Sequence, residues 1–447
     1  MKVFGLDSNV IRHAFSSGRL RVAVFGLGKM GLPLAAVFAE KGAEVVGVDV
    51  DAARVKQVNN GESGIGEEPG LEELVRAQVG RGRLRATRDG VQAARYCDVM
   101  VVIVPTLLDG GNAPDLTAVE SVCDSIAGGL AKGDLVVLES TTPPGTTKDV
   151  VRPILERSGL TAGKDFGLAC CPERTSSGRA IRDITGSYPK IVGGIDAAST
   201  ETAAAFYSVV TDNEVMKTDC TTAEMAKLLQ GLYRDVNIAL ANELAMYCAD
   251  KGIDFSAARE IGNTDPNCNI HRPGAGVGGH CIPVYPHFVM KTSKEETRLL
   301  QLARRINDSM PHHVVALIAH GLGQVGRSVA DSNILLLGLA YRGGVKETRY
   351  SPTPPVIQRL AELGANLYLY DPLFSREEVE ALGVKYGETF DDMDCAVVMS
   401  DHQEFAAFDW QDIAGRMRCR LVVDGRQVVE PATVRQLGFT YQGIGSS

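Results

Sequence analysis

Between residues 271 and 287 the chain reads HRPGAGVGGHCIPVYPH. Glycine or alanine fills positions 274, 275, 276, 278 and 279, and His280 and Cys281 follow directly. A glycine run without serine spacers is no linker; it lets backbone take positive φ or approach another group closely. A cysteine just past such a run lies where main-chain amides can surround whatever it attacks or binds. Cys281 is therefore a candidate nucleophile, since a thiolate is intrinsically reactive. The competing reading is a small buried thiol, the usual state of a free cysteine. His271, His280, Cys281 and His287 crowd the same stretch, but their spacing fits no zinc pattern, so the metal-free reading is kept.

The start of the chain points to dinucleotide chemistry. Residues 21–25 (RVAVF) read as a strand, Gly26-Leu27-Gly28-Lys29-Met30-Gly31 follows, and LPLAAVFAEKG reads as a helix closed by Gly42. The next strand, EVVGVDVD, carries Asp49, 18 residues after Gly31. Gly26, Gly28 and Gly31, with Lys29 and Met30 between them, allow a tight turn and let a pyrophosphate reach a helix N-terminus. Asp49 can take the two ribose hydroxyls, and its charge repels a 2′-phosphate, so NAD is favoured over NADP. Arg54, shortly after Asp49, is grouped with these cofactor-binding positions. A second match, residues 321–326 (GLGQVG), follows a helical pattern and precedes a strand. Its amides would not meet a helix N-terminus, so it is rejected as a nucleotide site.

Further strands at 99–104 and 135–139 end at Thr106 and Thr141. Ligands of open parallel sheets lie beyond the carboxyl ends of strands, which makes both threonines crevice candidates. Plain turn or cap duty suits Thr146 or Thr147 better than Thr141. Glu173, in FGLACCPERTSSG, is one more polar group at a strand end and taken alone reads as a surface glutamate. KIVGGI (190–195) reads as the last strand of this sheet.

From Asp219 the periodicity becomes helical through Gly252, longer than the roughly 8–20 residues of typical globular helices. Thr221 or Thr222 can cap it, with Glu224 in the first turn. Lys227, Asn237 and Asn242 are polar positions along it, and Lys227 alone reads as solvated. After the cysteine loop a second helical stretch is expected to break before Pro311, with Ser309 capping its second part. NILLLGLA (333–340) then opens another strand–loop–helix–strand unit. It lacks the glycine fingerprint and carries Arg342, Lys346 and Arg349 instead; Arg426 follows a later strand. Cations at strand ends suit a nucleotide diphosphate.

The formal charge of −9, from 46 basic and 55 acidic residues, argues against bulk nucleic-acid binding but permits a local basic pocket. No stretch approaches the ~20 apolar residues of a membrane helix, and the polar N-terminus lacks the apolar core of a secretion signal. The ten cysteines form no CxxC pair, and Cys170 and Cys171 are adjacent, so a reducing cytoplasm is the simpler setting.

In order along the chain, GLGKMGLP (26–33), ESTTPPGTT (139–147), CPER…G (171–178), AEMAKL (223–228), GVGGHCIP (276–283), INDSMP (306–311) and GLAYRGGVKETRYSP (338–352) resemble the UDP-glucose/GDP-mannose dehydrogenase family. The resemblance implies an α/β fold: two Rossmann-like doubly wound domains joined by a long central helix. The expected organisation is an N-terminal extension (1–20), an NAD-binding domain (21–212), a central helical dimerisation domain with the cysteine loop (213–328) and a UDP-sugar-binding domain (329–447). It further implies oxidation of a sugar C6 alcohol to a carboxylate with two NAD⁺, through a thiohemiacetal and a thioester on Cys281. By the same resemblance Lys227 stabilises the alkoxide or oxyanion, Glu173 positions water or transfers a proton, and Thr141 helps hold the catalytic water. Arg342 and Arg349 match basic residues of the nucleotide-sugar domain and Arg272 a substrate-facing cation; Gly276, Gly278, Gly279 and Arg426 are grouped with them.

GGHC followed by IPV, and YRDVNIALANEL, resemble the branch acting on UDP-N-acetylhexosamines (UDP-N-acetylglucosamine or UDP-N-acetylmannosamine). UDP-glucose or a UDP-galactosamine derivative is the alternative. Two positions depart from the family pattern. Gly231 stands where asparagine is usual, four residues after the lysine, and Tyr285 where aspartate is usual, four after the cysteine. A two-electron variant that stops at the aldehyde is therefore carried alongside. A non-catalytic nucleotide-sugar binder is disfavoured, because a binder needs no nucleophile. A homodimer in the cytoplasm is expected.

Overall fold

The strand runs at the start of the chain build a sheet buried on both faces. In β1 (Arg21–Phe25), Val22 and Val24 join one apolar core while Ala23 and Phe25 join another. Such two-sided burial marks a parallel sheet covered by helices. The computed structural model describes residues 1–66 and 68–446. It falls into two compact units, Met1–Gln230 and Gly231–Ser447.

In the first unit β2 (Glu44–Val48), β3 (Leu84–Thr87), β4 (Val99–Val102), the small hairpin β5 (Leu107–Leu108) and β6 (Pro114–Asp115), β7 (Leu135–Leu138), β8 (Gly167–Cys170), β9 (Lys190–Gly194) and β10 (Val215–Asp219) follow β1. The main sheet runs β10-β9-β8-β7-β4-β1-β2-β3 and is parallel apart from the β8–β9 pair. Strand order reverses between β1 and β4, the switch point where open α/β sheets bind ligands. One expectation changes here. β9 is not the last strand: β10 pairs beside it, and its largely exposed VMKTD lacks the apolar run by which strands were recognised. The N-terminal extension carries a helix of its own. Asp7 caps a helix, Ser8–Ser16, by accepting the Asn9 amide at 2.8 Å. Its Ile11, Ala14 and Phe15 are buried, with the Phe15 ring 5.3 Å from that of Phe206.

A single helix spans Cys220–Asp250, 31 residues. Its first turn is capped by Asp219, which accepts from the Thr222 amide at 3.0 Å and the Thr222 hydroxyl at 2.6 Å. Thr222 thus supports the cap rather than forming it. In the second unit the helix Arg298–Gln324 is also continuous, through Pro311. The expected break does not occur: Met310, Pro311 and Val314 are buried, and packing holds the turn despite the missing N–H. The same helix takes in Gly321 and Gly323, consistent with rejecting the second glycine match. The second sheet comprises β11 (Asn333–Leu337), β12 (Asn366–Tyr370), β13 (Lys385–Tyr386), β14 (Cys395–Val398), β15 (Leu421–Asp424) and β16 (Thr440–Gly443). Its order, β13-β12-β11-β14-β15-β16, is that of a second doubly wound nucleotide fold. Ile334 and Leu336 face one core, Leu335 and Leu337 the other.

Candidate active site

At the switch point of the first unit, Gly26 has φ +101 and a Cβ there would lie 2.4 Å from the Ile103 carbonyl oxygen. A Cβ on Gly31 would meet the Gly26 oxygen at 1.9 Å, whereas Gly28 faces open space. The outer glycines therefore serve the turn, and the middle one leaves room for a ligand. The helix Gly31–Glu40 begins with no side-chain cap; its Leu32 amide donates to the Gly28 carbonyl at 3.1 Å and Pro33 carries no N–H. Asp49 Oδ2 accepts the Leu27 amide at 2.8 Å and so ties the end of β2 to the glycine turn. Arg54 donates to the Ser63 carbonyl at 2.5 Å, away from that turn's hydrogen bonds. The Thr106 hydroxyl, just past β4, is buried with no hydrogen-bond partner, as is that of Thr142, the neighbour of Thr141.

Glu173 and Lys227 are not surface groups. Their side chains are 17% and 10% exposed, and Lys227 Nζ lies 3.7 Å from Glu173 Oε2. The Glu173 amide donates to the Glu139 carbonyl at 3.1 Å, and its Oε1 accepts the Thr175 amide. Thr175 in turn donates to Met30 Sδ at 2.7 Å, linking this strand end to the glycine turn. A cavity here is lined by Met30, Ile103, Glu139, Glu173, Lys190 and Tyr207, among others. Lys190 Nζ sits 3.0 Å from Glu139 Oε2, and Tyr207 donates its phenol to Glu139 Oε1. Burial raises the Glu139 carboxyl, with Lys190 opposing, and burial also holds the Tyr207 phenol well above its ordinary range. Thr141 precedes a loop pinned by Glu224, which accepts from the Gly145 amide at 2.6 Å and from the Thr147 amide at 2.8 Å.

In the second unit the cysteine loop is held from two helices. Asn237 Oδ1 accepts the His271 amide at 2.8 Å and Asn242 Oδ1 the Gly274 amide at 2.9 Å. Asn242 donates to Asn307 Oδ1 at 2.9 Å, and Asn307 donates to Asp235 Oδ1 at 2.8 Å. Arg304 pairs with the same carboxylate. Asn242, Asn307 and Asp235 are all buried. A Cβ on Gly278 would lie 2.5 Å from Tyr341 Cβ, and one on Gly279 3.0 Å from the Tyr341 ring; a Cβ on Gly276 would meet Pro352 at 3.0 Å. These glycines thus admit the 341–352 segment of the protein itself. The Gly279 amide donates to the Arg349 carbonyl at 2.8 Å.

The five candidate cations of this unit differ in use. Arg342 and Arg349 are exposed, as is Arg272, and the Arg342 guanidinium lies 5.7 Å from the Tyr341 ring centre. Lys346 pairs with Glu378 at 2.7 Å. Arg426 braces the loop by donating to the carbonyls of Met399 (2.8 Å), Tyr341 (3.1 Å) and Gly276 (3.3 Å). Its guanidinium is therefore committed to main chain rather than open to a phosphate.

All ten cysteines are free thiols, and only Cys268, Cys281 and Cys419 escape burial. Burial pushes Cys97 and Cys123 up to about 12 and raises Cys170, Cys171 and Cys395 as well, which makes them poor nucleophiles. Burial also raises Cys419, with a hydrogen bond to Asp394 adding to it. Cys281 is half-buried, and its neighbour His280 is held toward the imidazolium form first by a hydrogen bond to Cys281, against burial. Glu347 adds to this effect and Arg349 opposes it.

Three family models match in sequence order: the NAD binding domain over residues 20–211, the central domain over 221–309 and the UDP binding domain over 335–431 of the UDP-glucose/GDP-mannose dehydrogenase family. The UDP-N-acetyl-D-mannosamine dehydrogenase of Pyrococcus horikoshii is 35% identical over 95% of this chain and 99% of its own. The chain belongs to the UDP-glucose/GDP-mannose dehydrogenase family. The NDP-N-acetyl-D-galactosaminuronic acid dehydrogenase of Ralstonia nicotianae is 35% identical over 91% of this chain and 95% of its own. A solved structure of the Pyrococcus horikoshii UDP-D-ManNAc dehydrogenase, at 34% identity, gives a TM-score of 0.89 over 95% of this chain and 99% of that one.

This nucleotide-sugar dehydrogenase is NAD-dependent, and its first unit fits the cofactor. The uncapped helix start, open Gly28, Asp49 and the partnerless Thr106 hydroxyl are what a dinucleotide would complete. Among the described residues no cluster of three metal-ligating side chains occurs, and no helix is long and apolar enough to cross a membrane. Sequence reading missed Glu139, Lys190, Tyr207 and the Asp235–Asn307–Asn242 chain. Asn242 stood out as a polar residue on an apolar helix, but its partners lie 32 and 65 residues away.

Proposed function

We propose that the enzyme oxidises the C6 alcohol of a UDP-N-acetylhexosamine, UDP-N-acetylglucosamine or UDP-N-acetylmannosamine, to the uronic acid in two hydride transfers. The sugar assignment is supported by relatives whose names specify acetamido sugars and by the GGHC and YRDVNIALANEL phrases. The observation that carries the chemistry is the secluded Lys227–Glu173 ion pair. A lysine cation held there stabilises the alkoxide left when the O6 hydroxyl gives up its proton to water, and that alkoxide collapses to the aldehyde as C6 gives up hydride. NAD⁺, which the glycine turn (26–31) and Asp49 would hold, would supply the hydride acceptor for each oxidation. The Cys281 thiolate adds to the aldehyde carbon, forming a C–S bond, and the carbonyl oxygen takes a proton to give the thiohemiacetal. Loss of that proton and the second hydride leaves a thioester. Water, oriented by Glu173 and Thr141, attacks the thioester and releases the acid and the thiol. Arg272, Arg342 and Arg349 supply positive charge for the diphosphate.

The reading includes a homodimer in the cytoplasm. Tyr233, Leu240 and Tyr247 recur every seventh residue along the long helix and are 51%, 47% and 57% exposed, an apolar stripe suited to a second copy. Light scattering of the intact protein reads that state directly.

A panel of UDP-sugars with NAD⁺ tests the function. Two NADH per sugar and a uronic acid product are expected, and Cys281→Ser should lose turnover by at least about a thousandfold. A second reading, a two-electron variant, is favoured by Gly231 and Tyr285; one NADH per sugar with an aldehyde product would establish it instead.

A further inference from the structure

The two departures from the family pattern meet in space. Gly231 is buried in the interior of the helix Cys220–Asp250, where alanine would be the better helix former. A Cβ at Gly231 would lie 2.5 Å from Tyr285 Cδ2 and 3.4 Å from both Cγ and Cε2. Carbon atoms in contact normally sit about 3.5–4.0 Å apart, so the ring already occupies the space of any side chain at 231. The ring has little room to retreat. Tyr285 is 7% exposed, its ring centre is 6.0 Å from that of Phe288, and Pro286 stiffens the backbone after it.

The other end of Tyr285 is tied to the thiol-bearing residue. The Tyr285 amide donates to the Cys281 carbonyl at 3.0 Å and the Val284 amide to the same oxygen at 3.1 Å. Residues 281–285 thus form one turn leading into the helix Tyr285–Thr292. We propose that Tyr285 is a positioning residue for Cys281, acting through the seat that Gly231 provides on the long helix. The ring locks the cysteine turn against bare helix backbone, so residues 231 and 285 form one exchangeable unit. A side chain at 231 expels the ring and moves the turn that carries the thiol. This rests on reading Cys281 as the nucleophile.

Gly231→Ala in two backgrounds tests the proposal, with the melting temperature and the iodoacetamide alkylation rate of Cys281, followed by peptide mass spectrometry, as readouts. With Tyr285 present, Gly231→Ala should lower the melting temperature and change the Cys281 rate at least threefold. In Tyr285→Ala it should raise the melting temperature, as helix propensity alone dictates, and leave the Cys281 rate unchanged. Tyr285→Phe should keep the wild-type rate, because it keeps the ring that fills the space at Gly231. Equal effects of Gly231→Ala in both backgrounds, or a Tyr285→Phe protein that behaves like Tyr285→Ala, would overturn the proposal. Neither readout needs a sugar, so a failure to oxidise any UDP-sugar would count against the proposed reaction and leave this result standing.

Discussion

His280 shows how a residue can be visible in a sequence and its use hidden. Its place beside Cys281 was plain, but the hydrogen bond that raises its pKa depends on the folded loop. Below that raised pKa the imidazolium favours the adjacent thiolate; above it the ring is neutral and the support is lost. His280→Asn should therefore slow iodoacetamide alkylation of Cys281 on the order of tenfold near pH 6. The difference should shrink as pH rises above the raised imidazole pKa, read as paired pH–rate profiles. Lys227 and Glu173 carry the same lesson. A lone lysine on a helix and a lone glutamate after a strand each read as solvated. The 3.7 Å pair exists only because the chain after β8 returns to the helix that carries Lys227.

At the scale of elements, periodicity revealed the two long helices but not what crosses between them. Asn242, on one, bridges Asn307, on the other, to the Gly274 amide. Asn242→Leu would leave the buried Gly274 N–H and the Asn307 side-chain carbonyl oxygen without partners, a loss of about 1–3 kcal/mol per group. Urea unfolding should show Asn242→Leu and Asn307→Leu each destabilising the protein, with the double variant losing less than their sum. Turnover should fall in all three, because the loop that ends at Cys281 hangs from this chain. Pro311 teaches the converse. Its type predicts a break, yet the helix continues because burial outweighs the missing hydrogen bond. The edge strand β10 escaped notice for a related reason: pairing with β9, rather than an apolar pattern, makes it a strand.

Across the whole molecule, each unit places its third, second, first and fourth strands side by side in that order, and each joins the end of its second strand to the turn after its first by an aspartate. Asp49 accepts the Leu27 amide; Asp371 accepts the amides of Leu339 and Ala340 at 2.7 and 2.9 Å, with His402 at 3.1 Å. Stability against pH should carry the mark of a third aspartate. Burial pushes Asp134 up to about 6, with Lys2 opposing. Because the folded pKa is raised, this contribution to stability is complete below the unfolded value near 3.9 and is lost as pH rises through about 6. Asp134→Asn removes it, so the variant should gain about 2–3 kcal/mol on wild type between pH 3.5 and pH 7, measured by urea denaturation of the first unit. By itself the sequence determined the α/β class, the dinucleotide turn and the preference for NAD, because these depend on local spacing and residue type. Only the tertiary structure decided that Glu173 and Lys227 pair, that Arg426 braces main chain, and that Tyr285 rests on Gly231. Those depend on residues far apart in the chain, whose meeting no local pattern encodes.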